Sequence, residues 1–220
     1  MTSFTSMLKG KANTTALVLA PHTDDGEFGC GGSIAKMVEE GTRVIYVAFS
    51  AAEKSVSPEF PRDVLRDEVR AATKELGISD EDCIVLHFEV RRFPEHRQEV
   101  LDSMIELQHR FKPDLVMLPS PADTHQDHSV VAHEGFRAFK RTTMLGYEVP
   151  WNNLEFRTSC FVKLNERHLA KKLAALAMYK SQQDRTYSSN DYIRALATTR
   201  GMQIQTPLAE VFEVIRLVID

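Results

Sequence analysis

Thr15-Ala-Leu-Val-Leu-Ala-Pro-His-Thr-Asp-Asp-Gly-Glu-Phe-Gly-Cys-Gly-Gly32 is the stretch on which the fold turns. Thr15 to Ala20 form a mostly apolar run closed by Pro21, the pattern of a strand buried on both faces of a parallel sheet. A polar, glycine-rich stretch follows from Asp24 to Gly32. Ser33 to Glu40 then has helical spacing, with Ile34, Met37 and Val38 on one face and Gly41 as a stop. Arg43 to Phe49 is a second apolar run. Strand, helix and strand within so short a span make a βαβ unit with a right-handed crossover.

The pattern continues outward. Asp63 to Leu76 is an amphipathic helix ended by Gly77, and Cys83 to Phe88 a third strand. Glu95 to Phe111 is a helix broken by Pro113; Leu115 to Leu118 is a fourth strand stopped by Pro119 and Pro121; Ser129 to Lys140 is helical. Beyond residue 145 the style changes. Gly146 to Val149 and Phe156 to Leu164 read as strands of a smaller, antiparallel unit, Glu166 to Lys180 and Asp191 to Thr199 as helices, and Leu208 to Ile219 as a strand. The layout predicts a Rossmann-like three-layer α/β/α fold with a largely parallel sheet, in one domain over residues 1–220. Its core spans about 13–145 and a C-terminal elaboration about 146–220.

Composition narrows the function. The chain has 220 residues, 43% hydrophobic and 26% charged, which is ordinary for a globular protein with its own core. A net charge of −4 carries no footprint for nucleic acid or an anionic membrane. Cys30, Cys83 and Cys160 are odd in number and hold no CxxC pair, which argues against a disulfide framework and for a reducing compartment. Lys9 and Lys11 precede an apolar run too short for a signal segment, and no run approaches a membrane span. The expectation is a cytoplasmic protein without a transmembrane segment. Its oligomeric state, including a homo-oligomer, stays open.

In open α/β sheets ligands sit at the carboxyl ends of the strands. The loop after the first strand holds His22, Asp24 and Asp25; the loop after the fourth holds Asp123, His125, Asp127 and His128. Three imidazoles and four carboxylates thus open at one sheet edge. These donors suit zinc and other first-row divalent ions, and they exceed the three a catalytic zinc needs. The surplus leaves groups for acid–base work. A lone Asp-Asp after a strand is ordinarily a turn or cap, so the argument rests on both loops together. A dinucleotide site fails in detail: G-x-G-x-x-G would need glycine at 34, where Ile34 stands, and two carboxylates precede the glycines.

Residue by residue, the chain resembles the PIG-L/LmbE-like family of metal-dependent N-deacetylases. His22-Thr-Asp24-Asp25 followed by Gly29-Cys-Gly-Gly32 resembles the first signature, and Pro121-Ala-Asp123-Thr-His125-Gln-Asp127-His128 the second. The helix from Arg66-Asp-Glu68 to Leu76-Gly77, Tyr179-Lys-Ser-Gln182, Arg200-Gly201 and Ala209-Glu210-Val-Phe212 extend the likeness over nearly the whole chain. Thr23 stands where the family has proline, which bears on loop stiffness and not on ligand chemistry.

The resemblance implies metal ligands His22, Asp25 and His128, holding Zn2+, with Fe2+ or Co2+ also compatible with the donor set. It implies Asp24 as general base, protonated His125 as oxyanion stabiliser, Asp127 as the carboxylate that orients His125, and Arg66 as a substrate-binding residue. The implied reaction removes the N-acetyl group from a small-molecule amino sugar of the N-acetylhexosamine type, free, lipid-linked or nucleotide-linked. The alternatives are an amidase for a larger N-acyl or thiol-conjugate substrate and a metal-containing binding protein without catalysis. Trp151 and Tyr147 are further candidates for stacking on a sugar face.

Overall fold

Thr15–His22, Arg43–Ser50 and Leu115–Pro119 form β1, β2 and β4, and apart from their exposed or half-buried ends their side chains are buried. A computed structural model describes residues 14–183 and 185–219. The basic stretch at Lys9 and Lys11 lies outside the described residues, as does the start of the expected core. With Cys83–Val85 (β3), Thr143–Tyr147 (β5), Cys160–Leu164 (β6) and Leu208–Arg216 (β7), these strands make one sheet in the order β3-β2-β1-β4-β5-β7-β6. The first five run parallel; β7 pairs antiparallel with both β5 and β6.

Among the described residues, six α-helices cover the sheet: α1 Asp25–Glu39, α2 Val64–Glu75, α3 Arg97–Phe111, α4 Gln126–Ala138, α5 Glu166–Leu176 and α6 Asn190–Met202. Alternation along β1 feeds two apolar layers. Ala16, Val18 and Ala20 join the core with Ile34, Val69 and Leu169; Leu17 and Leu19 join the other with Val100, Met104 and Val131. This is the three-layer α/β/α architecture.

Four features differ from the sequence reading or add to it. First, α1 starts at Asp25, not Ser33, so the glycine-rich stretch is helical, with one break at Cys30 (φ −147°, ψ 20°). Close packing explains the glycines. A Cβ at Gly26 would lie 2.5 Å from the Tyr46 ring, and one at Gly29 would lie 2.3 Å from Tyr147. Second, the break is closed by the C-terminal part. Gly32 N–H and Ser33 N–H donate to the Glu210 carboxylate at 2.9 and 2.7 Å, and Lys172 Nζ donates to the Phe28 carbonyl at 2.7 Å. Third, the fifth strand starts at Thr143 and continues the parallel sheet, and β6 and β7 extend that sheet instead of forming a separate unit. Fourth, β3 is short, though Leu86 N–H and Phe88 N–H still donate to the Ala48 and Phe49 carbonyls. Glu68 of α2 accepts from Ser181 N–H at 2.9 Å and Ser181 Oγ at 2.6 Å, so segments far apart in sequence clasp over one face.

Candidate active site

The strand order reverses between β1 and β4, and there the chains leaving the two strands must diverge around a crevice. His22 is the last residue of β1, and Asp24 and Asp25 open α1. Beyond β4, Asp123 Oδ1 accepts from His125 N–H at 2.9 Å, a side-chain turn that swings the chain into α4. His125 caps that helix, its Nδ1 accepting from Asp127 N–H at 3.2 Å. Asp127 and His128 occupy the first turn.

Three donor atoms converge. His22 Nδ1 lies 3.1 Å from Asp25 Oδ2, His128 Nε2 lies 3.2 Å from the same oxygen, and the two imidazole nitrogens are 3.3 Å apart. Tetrahedral zinc with ligand bonds of about 2.0–2.1 Å has ligand–ligand edges of roughly 3.3–3.4 Å, so this triangle fits a divalent ion. Each imidazole is held from behind by a buried carboxylate. His22 Nε2 donates to Asp127 Oδ2 at 2.9 Å, and His128 Nδ1 donates to Asp123 Oδ2 at 2.8 Å. That leaves His22 Nδ1 and His128 Nε2 free to ligate. The ring nitrogens of His22, His125 and His128 also lie within 4.8 Å of one another, so His125 borders the same point. The triangle through Asp25 is the tighter set, and a carboxylate balances the ion's charge where a third imidazole does not.

Electrostatics match the geometry. Burial lowers the pKa of His22 and of His128, but the carboxylates outweigh it and raise them to about 9 and about 10. Burial alone would raise Asp25; His128 and His22 overcome it and hold Asp25 well below the usual carboxylate range. The site therefore concentrates negative charge that either protons or a cation must neutralise. Asp24 differs. It is 9% exposed, and burial together with the Asp25 charge raises its pKa, opposed by Arg185 at 3.9 Å. Its side chain caps nothing at the start of α1.

The contacts of four residues differ from those their expected roles call for. Asp127 turns its carboxylate to His22 and to the N–H groups of Arg91 and Phe93 at 2.6 and 3.2 Å, not to His125. His125 lies in surroundings that disfavour its charged form: burial, with the charges of His128 and His22, lowers its pKa. Its Nδ1 accepts the Asp127 N–H, and a neutral ring making that bond carries its proton on Nε2. Arg66 does not line this cleft. It donates to Glu53 at 3.0 Å and pairs with His87 Nδ1 at 2.9 Å, beside a neighbouring hollow. Tyr147 is fully buried, its hydroxyl on the Leu19 carbonyl at 2.9 Å, so it cannot stack on a ligand.

The cleft above the triangle is lined in part by Phe28, Trp151, Gln182, Arg185 and Tyr187. Trp151 stacks on Tyr187 with centroids 4.1 Å apart and 14° between planes, and Phe28 meets both rings edge-on. Arg185 and Tyr187 have no local motif that would mark them; only Tyr179-Lys-Ser-Gln182, just upstream, carried a signal. The loop where Thr23 replaces proline is clamped from below. Its carbonyl accepts from the Tyr46 and Tyr179 hydroxyls at 2.8 and 2.6 Å, and both hydroxyls also touch buried Glu27. Burial raises Glu27 to about 8 against the pull of these hydroxyls, so it is largely protonated at neutral pH.

The chain is similar to known proteins in sequence and in fold. The chain is 29% identical over 184 residues to the uncharacterized deacetylase YaiS of Escherichia coli, covering 80% of this chain and 97% of that one. It is 25% identical over 136 residues to a diacetylchitobiose deacetylase of Thermococcus kodakarensis, covering 59% of this chain and about half (49%) of that longer protein. Its structure resembles the conserved protein TT1542 of Thermus thermophilus, with a TM-score of 0.75 at 25% identity over 93% of this chain and 96% of that one. The family model described as PIG-L, GlcNAc-PI de-N-acetylase, matches residues 17–139, more than half of the chain and both metal loops, and the protein belongs to that deacetylase family.

Proposed function

We propose that the protein is a metal-dependent amide hydrolase that removes the N-acetyl group from an N-acetylhexosamine-type sugar and releases acetate. The observation that carries this reading is the triangle of His22 Nδ1, Asp25 Oδ2 and His128 Nε2 with an uncommitted, buried carboxyl, Asp24, beside it. When bound, a divalent cation supplies Lewis acidity, polarising a carbonyl oxygen and acidifying water. His22, Asp25 and His128 would hold it, with Zn2+ the first choice for two imidazoles and one carboxylate and Fe2+ or Co2+ compatible.

The chain's own groups perform the proton chemistry. Asp24 takes the proton from the attacking water and returns it to the leaving amine, a task suited to a carboxyl whose pKa is raised by burial. His125, with its proton on Nε2, donates a hydrogen bond to the developing oxyanion as a neutral imidazole. Asp127 and Asp123 keep the two ligand imidazoles in the required tautomer. Trp151 offers part of its surface to the cleft, where a sugar ring can rest. The T. kodakarensis relative's name, a diacetylchitobiose deacetylase, supports an acetylated amino sugar as substrate.

The test is acetate release from a panel of N-acetylated amino sugars and larger N-acyl conjugates, before and after dialysis against a chelator. Zinc-dependent acetate release from the sugars is the expected result. Turnover confined to larger amides, or turnover indifferent to the chelator, overturns the reading.

A further inference from the structure

Glu27 is a fully buried carboxyl in the first turn of α1 that the proton chemistry above leaves unused. Its two oxygens meet the hydroxyls of Tyr46, from β2, and Tyr179, from the segment after α5. Both hydroxyls also reach one further acceptor, the Thr23 carbonyl, at 2.8 and 2.6 Å. Three segments distant in sequence thus close on the peptide that joins Thr23 to Asp24.

That peptide decides where Asp24 stands. The Asp24 side chain caps nothing at the start of α1, and its ion pair with partly exposed Arg185 is long, at 3.9 Å. Its carboxyl therefore takes its direction from the backbone on either side. On the far side the Asp24 carbonyl accepts from the Phe28 N–H at 3.0 Å. On the near side threonine does not fix φ as proline would, so the two hydroxyls hold the loop.

Hydrogen counting ties Glu27 to this clamp. Two hydroxyls bring two hydrogens to four oxygen–oxygen contacts. Directed at an ionised Glu27, they would leave the buried Thr23 carbonyl without those donors. Directed at Thr23, they would leave a buried carboxylate facing two hydroxyl oxygens. A hydrogen on Glu27, which burial favours, resolves the conflict: both tyrosines donate to Thr23, and Glu27 donates to one of them.

We propose that Tyr46 and Tyr179, bridged by Glu27, are positioning residues for the hydrolysis: they fix the Thr23–Asp24 peptide and so aim the Asp24 carboxyl into the cleft. The proposal rests on the reading of Asp24 as the base of a deacetylase.

The sequence supplies a probe. Thr23-Asp24 is the one Thr-Asp pair in the chain, so cell-free synthesis with 13C-carbonyl threonine and 15N-aspartate gives a single carbonyl–amide cross-peak, that of this peptide. It is recorded on zinc-loaded protein beside metal content and the kinetics of acetate release from N-acetylglucosamine. Tyr46→Phe and Tyr179→Phe are each expected to move the Thr23 carbonyl upfield, as it loses a donated hydrogen, and the double variant to move it further. Zinc stays stoichiometric, kcat falls by up to about 100-fold in the double variant, and KM stays within about twofold. The single variants keep one hydroxyl on Thr23, so they report even where the double variant fails to fold. Glu27→Ala slows turnover, and Glu27→Gln, which keeps one donor and one acceptor, restores it. Tyr147→Phe removes a comparably buried hydroxyl, bonded to the Leu19 carbonyl at 2.9 Å, and should change neither cross-peak nor kcat.

A carbonyl that stays in place, or a wild-type kcat once it has moved, overturns the proposal and leaves the deacetylase reading standing. Zinc lost in step with kcat also overturns it, because the clamp then serves the ligands. So does an equal fall in Tyr147→Phe, which would make the effect one of stability, or a Glu27→Gln protein as slow as Glu27→Ala, which would remove the bridge. Wild-type protein that releases no acetate removes the deacetylase reading and, with it, this role for the two tyrosines.

Discussion

His22 Nε2 donates to the Asp127 carboxylate at 2.9 Å across 105 positions of chain, tying the end of β1 to the first turn of α4. Asp127 is fully buried and also accepts from the Arg91 and Phe93 N–H groups. One carboxylate therefore sets the tautomer of a metal ligand and the path of the neighbouring loop. Asp127→Asn keeps the shape and loses the charge. It is expected to weaken zinc binding by about 10- to 100-fold, read by competition with a chromogenic chelator. Unchanged affinity would remove Asp127 from its supporting role.

Asp24→Ala is expected to keep stoichiometric zinc and lose turnover by about 10²- to 10⁴-fold, the usual worth of a positioned base. His128→Ala is expected to lose metal together with activity. Metal analysis beside acetate release separates the two. Wild-type turnover in Asp24→Ala would displace Asp24 as base, and full occupancy in His128→Ala would displace His128 as ligand.

The metal-free protein should show an inverted alkaline response. His22 at about 9 and His128 at about 10 lie above the ordinary imidazole value of 6.5. A raised folded-state pKa contributes stability that is fully present below the unfolded value and is lost as pH rises through the folded one. Thermal melts of chelated protein should therefore fall between pH 6.5 and 10, by the equivalent of several kcal/mol in total, whereas zinc-loaded protein should hold its midpoint there. At pH 7 the same protons must leave when zinc enters, about two per ion. Calorimetry in buffers of different ionisation heat counts them, and a count of zero would mean that the imidazoles were already neutral.

Gly29→Ala places a methyl group 2.3 Å from the Tyr147 ring, in a layer with no slack. The expected cost is about 1–3 kcal/mol, a fall in melting midpoint of roughly 2–4 °C for each kcal/mol in a chain of this size. Gly31→Ala meets only the Lys172 stem at 3.0 Å and should cost less. Equal midpoints for the two variants would contradict the packing argument.

Lys172 and Glu210 form a buried pair at 2.7 Å that also caps both sides of the break in α1. Lys172→Met leaves Glu210 buried without its counter-ion, and a loss of about 3–5 kcal/mol is expected. Chemical denaturation of the single and double variants gives the coupling. Additive losses would mean that the pair acts as two independent caps.

Several features could be read along the chain because they depend on near neighbours. β1, β2 and β4 declare themselves as apolar runs since both faces of a central parallel strand are buried. The ligand residues sit in two short loops, and the rule that ligands bind at strand ends places both at one edge. The resemblance to the deacetylase family follows from the same two segments.

Other features are decided only when distant segments meet. Whether Asp127 faces His125 or His22 depends on how α4 crosses the end of β1, and two residues of spacing cannot reveal that. The glycine-rich stretch reads as loop because glycine is a poor helix former; it is helical because Tyr46 and Tyr147 press on it and Glu210 and Lys172 cap its break. Arg66 falls outside the cleft because Glu53 and His87 capture it, while Arg185 and Tyr187, without any motif, come to line it. Local spacing governs which side chains share a face of one element, whereas partnership between elements follows from packing, where burial and charge choose among contacts that no interval along the chain encodes.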